Sequence, residues 1–353
     1  MIKLNKDTNS IIDDLSKFFY RVFVASTSDD TDVTDVSEHD VSYVDAFLKR
    51  QATGFAQYYV LTKGLLGVYT NGNYQVAIFS DGTKIRYNDE NELIPDSPES
   101  MDIKITDMCD VGCPYCHENS SVNGKHGDIM NQRFIRELPE YTELAIGGGN
   151  PLSHPQLLPF LLLCKQKNLI PSITVNQKHF MDCQDMIKLL VDKQLIYGLG
   201  ISLTDPTDEF LDTVKQFPNA VIHVIAGVVS DEQLHALYDK DLKLLILGYK
   251  EFRRGEAYHS ASVDYKIVQL RDNLSEVIKH FNVISFDNLA IMQLDVRHVV
   301  QDWDTFYMGD DGQFTMYVDM VKHEYAKSST STVRHSYTDD LIDDMFSVVR
   351  SEG

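Results

Sequence analysis

Apolar residues at Ile12, Leu15, Phe19, Val22 and Phe23 fall at helical spacing, which predicts a helix over residues 9–25 with Asp13, Asp14 and Lys17 on its other face. A second helical stretch is expected from Ser42 to Gln51. Between them, Asp29 to Asp40 is acidic and rich in Ser and Thr, the composition of a solvated linker. From Tyr58 to Tyr87 the period changes to two. Residues 66–69, 74–79 and 83–86 read as short strands, with hairpin turns at Asn71-Gly72 and Asp81-Gly82. Residues 88–100, with Pro95 and Pro98, read as a linker.

A longer alternating region follows. Strands are expected at 102–106, 143–147, 171–175, 197–203, 220–226 and 243–248. Amphipathic stretches near 130–138, 155–167, 180–193, 207–216 and 230–239 separate them, with helix-start signals at Asp182, Asp205-Pro206 and Ser230-Asp231. Steady alternation of this kind predicts an α/β domain, a parallel sheet with helices outside, whose ligands sit at the carboxyl ends of the strands. Beyond Gly248 the pattern loosens. A helix is expected over Val263 to Phe281, a hairpin over Phe306 to Tyr325 turning at Asp310-Asp311-Gly312, and a last helix over Thr338 to Arg350. The expected domains are 1–98, a helical segment plus β-meander; 99–250, the alternating core; and 251–353, a helix and hairpin extension.

Candidate chemistry enters after the first of these strands. Cys109, Cys113 and Cys116, three of five cysteines, are spaced C-x-x-x-C-x-x-C. Three thiolates on one short loop can hold three corners of a four-iron cluster and leave one iron free for chemistry. The same stretch has other readings. Cys113-Pro114-Tyr115-Cys116 is a C-x-x-C of thiol–disulfide type, and Cys113 to His117 fits the c-type haem pattern. The three cysteines with His117 also make a zinc donor set. Haem attachment calls for export, the thiol reading leaves Cys109 unexplained, and structural zinc usually brings a second knuckle that is missing downstream. Cys164 and Cys183 read as packed thiols. With no cysteine after Cys183, auxiliary clusters are not expected.

The C-x-x-x-C-aromatic-C loop after a strand resembles the signature of the radical S-adenosylmethionine superfamily. Gly147-Gly148-Gly149-Asn150-Pro151 after the second strand resembles that family's G-G-E-P motif, with Asn150 in place of the glutamate. The resemblance covers residues 101 to 250. It implies a partial (β/α)6 TIM-type barrel with small β-rich N-terminal and C-terminal additions. It implies a [4Fe-4S] cluster on the three cysteines and S-adenosyl-L-methionine as the second cofactor. Tyr115 would lie near the adenine, and the backbone of the Gly147 run would meet the methionine amino group. Reductive cleavage would then give a 5′-deoxyadenosyl radical that abstracts hydrogen from a substrate carbon. Asn176 and Ser202, ending the third and fourth strands, are candidates to hydrogen-bond the ribose or carboxylate, and strand-end capping explains each equally well. Tyr249, Lys250, Arg253 and Arg254 form a basic loop that can grip an anionic group or simply be solvated. No flavin or nicotinamide fingerprint is present, so a separate low-potential donor of flavodoxin or ferredoxin type is expected.

Composition narrows the partners. The chain has 353 residues, 43% hydrophobic, and a net charge of −21, so no broad basic face for nucleic acid is expected. The first residues lack the apolar core of a signal peptide, and no apolar run reaches the length of a membrane span. A cytoplasmic protein in a reducing compartment is expected. The substrate, a small molecule or a protein, is not legible. The contrasting function class is a thiol–disulfide oxidoreductase, or a non-catalytic iron–sulfur or zinc-binding regulator built on C-P-Y-C.

Overall fold

The structure, a computed structural model, describes residues 8–28, 38–90, 92–301 and 303–352. The acidic stretch from Asp29 lies mostly outside them. The chain divides into two compact units, Met1–Ser97 and Pro98–Gly353.

The first unit pairs helix α1 (Thr8–Ser28) with α2 (Glu38–Thr62) and adds an antiparallel meander of β1 (Leu65–Asn71), β2 (Tyr74–Phe79) and β3 (Lys84–Tyr87). Ile11 and Leu15 of α1, Ala56 and Val60 of α2, and Val68, Ala77 and Phe79 of the strands close one apolar core. Gly72 and Gly82 take φ of 58° and 89° at the two expected turns, where a side chain would be strained. Helix α2 is much longer than the pattern suggested. Its apolar and aromatic residues continue to Val60 at helical spacing, so packing carries the helix past Gly54.

The second unit alternates. In order come β4 (Ser100–Thr106), α3 (Arg133–Glu137), β5 (Glu143–Gly148), α4 (Leu157–Gln166), β6 (Ile170–Asn176), α5 (Gln177–Asp182), α6 (Gln184–Asp192), β7 (Gly198–Ser202), α7 (Asp208–Val214), β8 (Ala220–Ile225), α8 (Asp231–Leu237) and β9 (Lys243–Leu247). Then follow α9 (Arg254–Tyr258), α10 (Ala261–Val277), β10 (Val283–Phe286), α11 (Asn288–Gln293), α12 (Trp303–Phe306), β11 (Thr315–Asp319), β12 (Glu324–Ala326), β13 (His335–Ser336) and α13 (Ile342–Arg350). One ten-stranded sheet runs in the order β10-β9-β8-β7-β6-β5-β4-β11-β12-β13. Strands β4 to β10 are parallel neighbours in chain order, and β11 joins β4 in parallel on the other side. Residues 251–353 thus supply strands to both ends of this sheet.

Alternation along each strand separates two faces. Met101, Ile103 and Ile105 of β4, Leu144 and Ile146 of β5, Ile173 and Val175 of β6, and Leu199 and Ile201 of β7 are buried in the apolar core. The intervening positions are polar or small: Asp102, Lys104, Ala145, Gly147, Thr174, Gly200 and Ser202 among them. On these four strands that face carries no large apolar side chain, and His223 and Ile225 of β8, Leu247 of β9 and Tyr317 of β11 border the space that is left.

Three local expectations differ. The helix expected over 180–193 is two helices meeting at Cys183, because Asn176 accepts from Lys178 N and starts α5 directly at the strand end. Thr207, not Asp205, caps α7, whereas Ser230 closes a full capping box with Gln233 as its signal implied. The hairpin does not turn at Asp310-Asp311-Gly312. Trp303–Phe306 is helical, β11 pairs with β4, and the turn falls between Asp319 and Glu324, with His323 at φ 56°. Among the described residues, no helix is long and apolar enough to cross a membrane.

Candidate cofactor site at the strand ends

The loop after β4 is folded back on itself. Cys109 N donates to Ser121 O at 2.9 Å, and Ser121 N returns to Asp107 O at 3.0 Å. Two backbone bonds tie this loop to the end of β5: Gly149 N to Thr106 O and Asn150 N to Met108 O, both at 2.6 Å. The cysteine loop and the glycine run therefore form one bonded layer.

A cavity of about 450 Å³ opens beside that layer. Cys109, Cys113, Cys116 and Tyr115 line it, with Gly147, Gly148, Gly149, Asn176 and Ser202 from the ends of β5, β6 and β7. All three cysteines are free and half-buried. Burial and the neighbouring Cys116 and Cys109 push the Cys113 thiol up, the reverse of an activated redox nucleophile.

The three glycines have different duties. A Cβ on Gly149 would stand 2.2 Å from Met108 O, and one on Gly148 would stand 2.4 Å from Thr106 O at a φ of 111°. Both are required by the packing of the cysteine loop on β5. A Cβ on Gly147 meets nothing within 4 Å, so its backbone lies open to the cavity. Asn150 faces elsewhere. Its amide oxygen accepts from Leu152 N, and it lines a smaller cavity with Cys109, Asp110, Lys178 and His179. Asn176 caps α5 while still bordering the main cavity. Tyr115 meets Tyr258 edge to face, ring centroids 5.6 Å apart.

Residues that the sequence reading passed over hold the loop in place. Lys104, 1% exposed on β4, is ion-paired to Asp107 at 2.6 Å, Glu118 at 2.9 Å and Asp319 at 3.1 Å. Burial penalises its charge, yet Glu118, Asp107 and Asp319 outweigh that and raise its pKa. Burial also opposes ionisation of Glu118, but His117 and Lys104 hold it well below the usual carboxylate range. Because burial and the Lys250 charge lower the pKa of His117 itself, Lys104 and Arg253 are the cations that face Glu118 at neutral pH. Tyr317 of β11 donates to Glu118 Oε1 at 3.2 Å.

The basic loop after β9 also acts here. Arg253 Nη1 donates to Glu118 O and Oε2 at 3.0 and 3.1 Å, and Arg254 Nη2 donates to Ser120 O at 2.8 Å. Arg253 takes φ 54°, a conformation its side chain disfavours, in the turn that aims both guanidinium groups at the cysteine loop. Tyr249 donates to Gly255 O and is buried. Of the four residues, Lys250 alone lines the cavity, where its ammonium donates to Ser329 Oγ at 2.9 Å.

No family model matches this chain. No curated protein matches it either. Solved structures do match in fold. The chain is similar to SuiB of Streptococcus suis bound to S-adenosylmethionine, with TM-score 0.52 and 11% identity, over 95% of this chain and 79% of that one. It is similar to SuiB bound to precursor peptide SuiA, with TM-score 0.52 and 13% identity, over 88% of this chain and 80% of that one. At these identities the likeness establishes a shared α/β fold.

Proposed function

We propose that this chain is a radical S-adenosylmethionine enzyme whose [4Fe-4S] cluster is held by Cys109, Cys113 and Cys116. The observation that carries the reading is that three free thiols and the open Gly147 backbone border one cavity at the carboxyl ends of parallel strands. When bound, the cluster and S-adenosylmethionine supply one-electron cleavage to a 5′-deoxyadenosyl radical that takes hydrogen from a substrate carbon. The chain's own residues bind, orient and exclude water. Lys104, Glu118, Arg253 and Arg254 fix the cysteine loop, Gly147 admits the methionine portion, and Tyr115, Asn176 and Ser202 border the adenosine portion. Asn150 is assigned only to the cap that shapes the glycine turn. We read the sheet as a partial barrel, because one cavity touches β4 through β9 and β11, which a flat sheet does not allow. SuiB, with its similar fold, has been solved with S-adenosylmethionine and with a precursor peptide, so a peptide or protein side chain is our favoured substrate class. A low-potential flavodoxin- or ferredoxin-type donor would supply the electron, in the reducing cytoplasm that five free thiols suit.

The test is an electron paramagnetic resonance spectrum of anaerobically reconstituted, reduced protein with and without S-adenosylmethionine, together with a 5′-deoxyadenosine assay. A four-iron signal that changes on ligand addition, with product formed, is expected. An unchanged signal and no product would sink the reading. A companion pair of variants tests the glycine assignment. Gly148→Ala is expected to cost about 1–3 kcal/mol of stability through backbone strain. Gly147→Ala is expected to fold as the wild type does and to bind S-adenosylmethionine more weakly by calorimetry. Equal ligand binding by Gly147→Ala would count against it.

A second reading rests on a separate group of donors. Cys109, Asp110 and His179 have ligand atoms all within 4.8 Å of one another, a size suited to one metal ion and a metal-binding regulator. His179 Nε2 already pairs with Asp110 at 2.5 Å, and this arrangement leaves Cys113 and Cys116 without a role. Metal analysis of protein purified without reconstitution separates the two: one zinc and no iron would favour the regulator.

A further inference from the structure

Two lysines line the main cavity, and they differ in what they meet. Lys104 is held in ion pairs by Asp107, Glu118 and Asp319. Lys250 has no ion pair among the described residues, and its ammonium donates to a hydroxyl, Ser329 Oγ, at 2.9 Å. Asp102 of β4, an exposed carboxylate, borders the cavity as well and forms no ion pair with Lys250. Ser329 is only 8% exposed, and Lys250 is the one partner of its side chain among the described residues.

Both residues stand on fixed backbone. Gln293 of α11 grips the two sides of Tyr249: its Oε1 accepts from Tyr249 N at 2.7 Å and its Nε2 donates to Tyr249 O at 2.9 Å. The Tyr249 hydroxyl closes the turn on Gly255 O at 2.6 Å, so the next residue, Lys250, leaves a clamped chain. On the other side, Arg334 donates to the carbonyls of Ser329 and Ser331, and its guanidinium lies over the Tyr317 ring, 4.8 Å from the centroid. Lys250 follows β9 and Ser329 follows β12. In the partial barrel proposed above, the bond between them closes the ring of strands on the wall that faces β5, β6 and β7, where Gly147, Asn176 and Ser202 stand. Across the cavity from those residues, the ammonium keeps two protons and the hydroxyl one for which the described residues offer no acceptor.

We propose that Lys250 and Ser329 together bind a carboxylate of the substrate. One ammonium offsets one negative charge, so the pair suits a carboxylate rather than a phosphate dianion. The carbons attached to that carboxylate are then held across the cavity from the open Gly147 backbone. This deepens the radical-enzyme reading and rests on it for the fate of those carbons, but the binding preference stands on Lys250 and Ser329.

The experiment is calorimetric binding at pH 7.5 to the reconstituted protein with S-adenosylmethionine present and reductant withheld. The probes are two matched pairs: hexanoate with neutral hexanamide, and Nα-acetyl-glutamate N-methylamide with neutral Nα-acetyl-glutamine N-methylamide. At least one carboxylate is expected to bind about tenfold or more tightly than its amide, as one charge-assisted contact provides. A preference in the hexanoate pair marks a small acid, and a preference in the acetylated pair marks a peptide side chain; either supports the proposal. In Lys250→Met the preference is expected to fall to near unity, with S-adenosylmethionine affinity and unfolding midpoint unchanged. It is expected to fall severalfold in Ser329→Ala and to be largely kept in Lys250→Arg, which retains the charge. No preference in the wild type, no binding by any probe, or a preference that survives in Lys250→Met would overturn the proposal. So would a preference that emerges only in Asp102→Asn, since Asp102 would then be the partner that Lys250 takes in solution. A parallel loss of S-adenosylmethionine affinity in Lys250→Met would overturn it too, because the anion would then be the methionine carboxylate. A protein that keeps the preference yet forms no 5′-deoxyadenosine would overturn only the radical reading.

Discussion

Cys109→Ala, Cys113→Ala and Cys116→Ala are each expected to lower bound iron after anaerobic reconstitution from about four per chain to near none. Cys164→Ala and Cys183→Ala are expected to leave it unchanged. The five thiols differ in setting. Cys164 is fully buried in the apolar core, where burial pushes its pKa to about 12. Cys183 stands at the junction of α5 and α6 and lines only the smaller cavity. The other three share the main cavity, on a loop with no other donor set that can hold a cluster. Losing one of three protein ligands leaves two irons without protein attachment. Iron and sulfide analysis, with the visible absorption of the cluster, checks this. Full iron retained in any of the first three variants would remove the cluster assignment, and loss of iron in Cys183→Ala would point to the cavity it shares with Cys109.

Much of this site was legible because its signals are local. Three cysteines within eight residues and three consecutive glycines need no knowledge of the fold to be noticed. The strands were legible because Met101, Ile103 and Ile105, or Leu199 and Ile201, alternate with small or polar residues. What escaped was long-range. Lys104 reads as one charge in an apolar strand, and nothing nearby announces that Asp319, more than two hundred residues later, completes its pairing. Tyr317 and Asp319 were inside an expected hairpin, but the register with β4 that brings them to the cysteine loop cannot be read from a turn signal. Arg253 and Arg254 look like solvated charges until the chain brings them against the carbonyls of Glu118 and Ser120. The glycine run shows the same limit within a motif. The sequence marks three equivalent residues, and packing makes two of them structural and opens one.

Lys104→Met is expected to be the most destabilising single change in the second unit, at about 3–5 kcal/mol, because it strands buried carboxylates without their cation. The side chains are close in length, so the loss is electrostatic more than steric. Asp319 is 1% exposed and Glu118 8%, which leaves little water to replace the ammonium. Arg253 still meets Glu118, but no other basic side chain among the described residues is ion-paired to Asp319. On a unit of this size the penalty corresponds to a fall in unfolding midpoint on the order of 10 °C. Arg133→Ala is the control. Its pair with Glu137 is 45% and 33% exposed, and its loss is expected to cost under about 1 kcal/mol. Thermal unfolding of the protein without its cluster isolates the effect from metal binding. A Lys104→Met midpoint matching that of Arg133→Ala would show that the buried carboxylates find other partners. A large fall would mean that the cysteine loop is held in shape by charges contributed from β4 and β11, before any iron arrives.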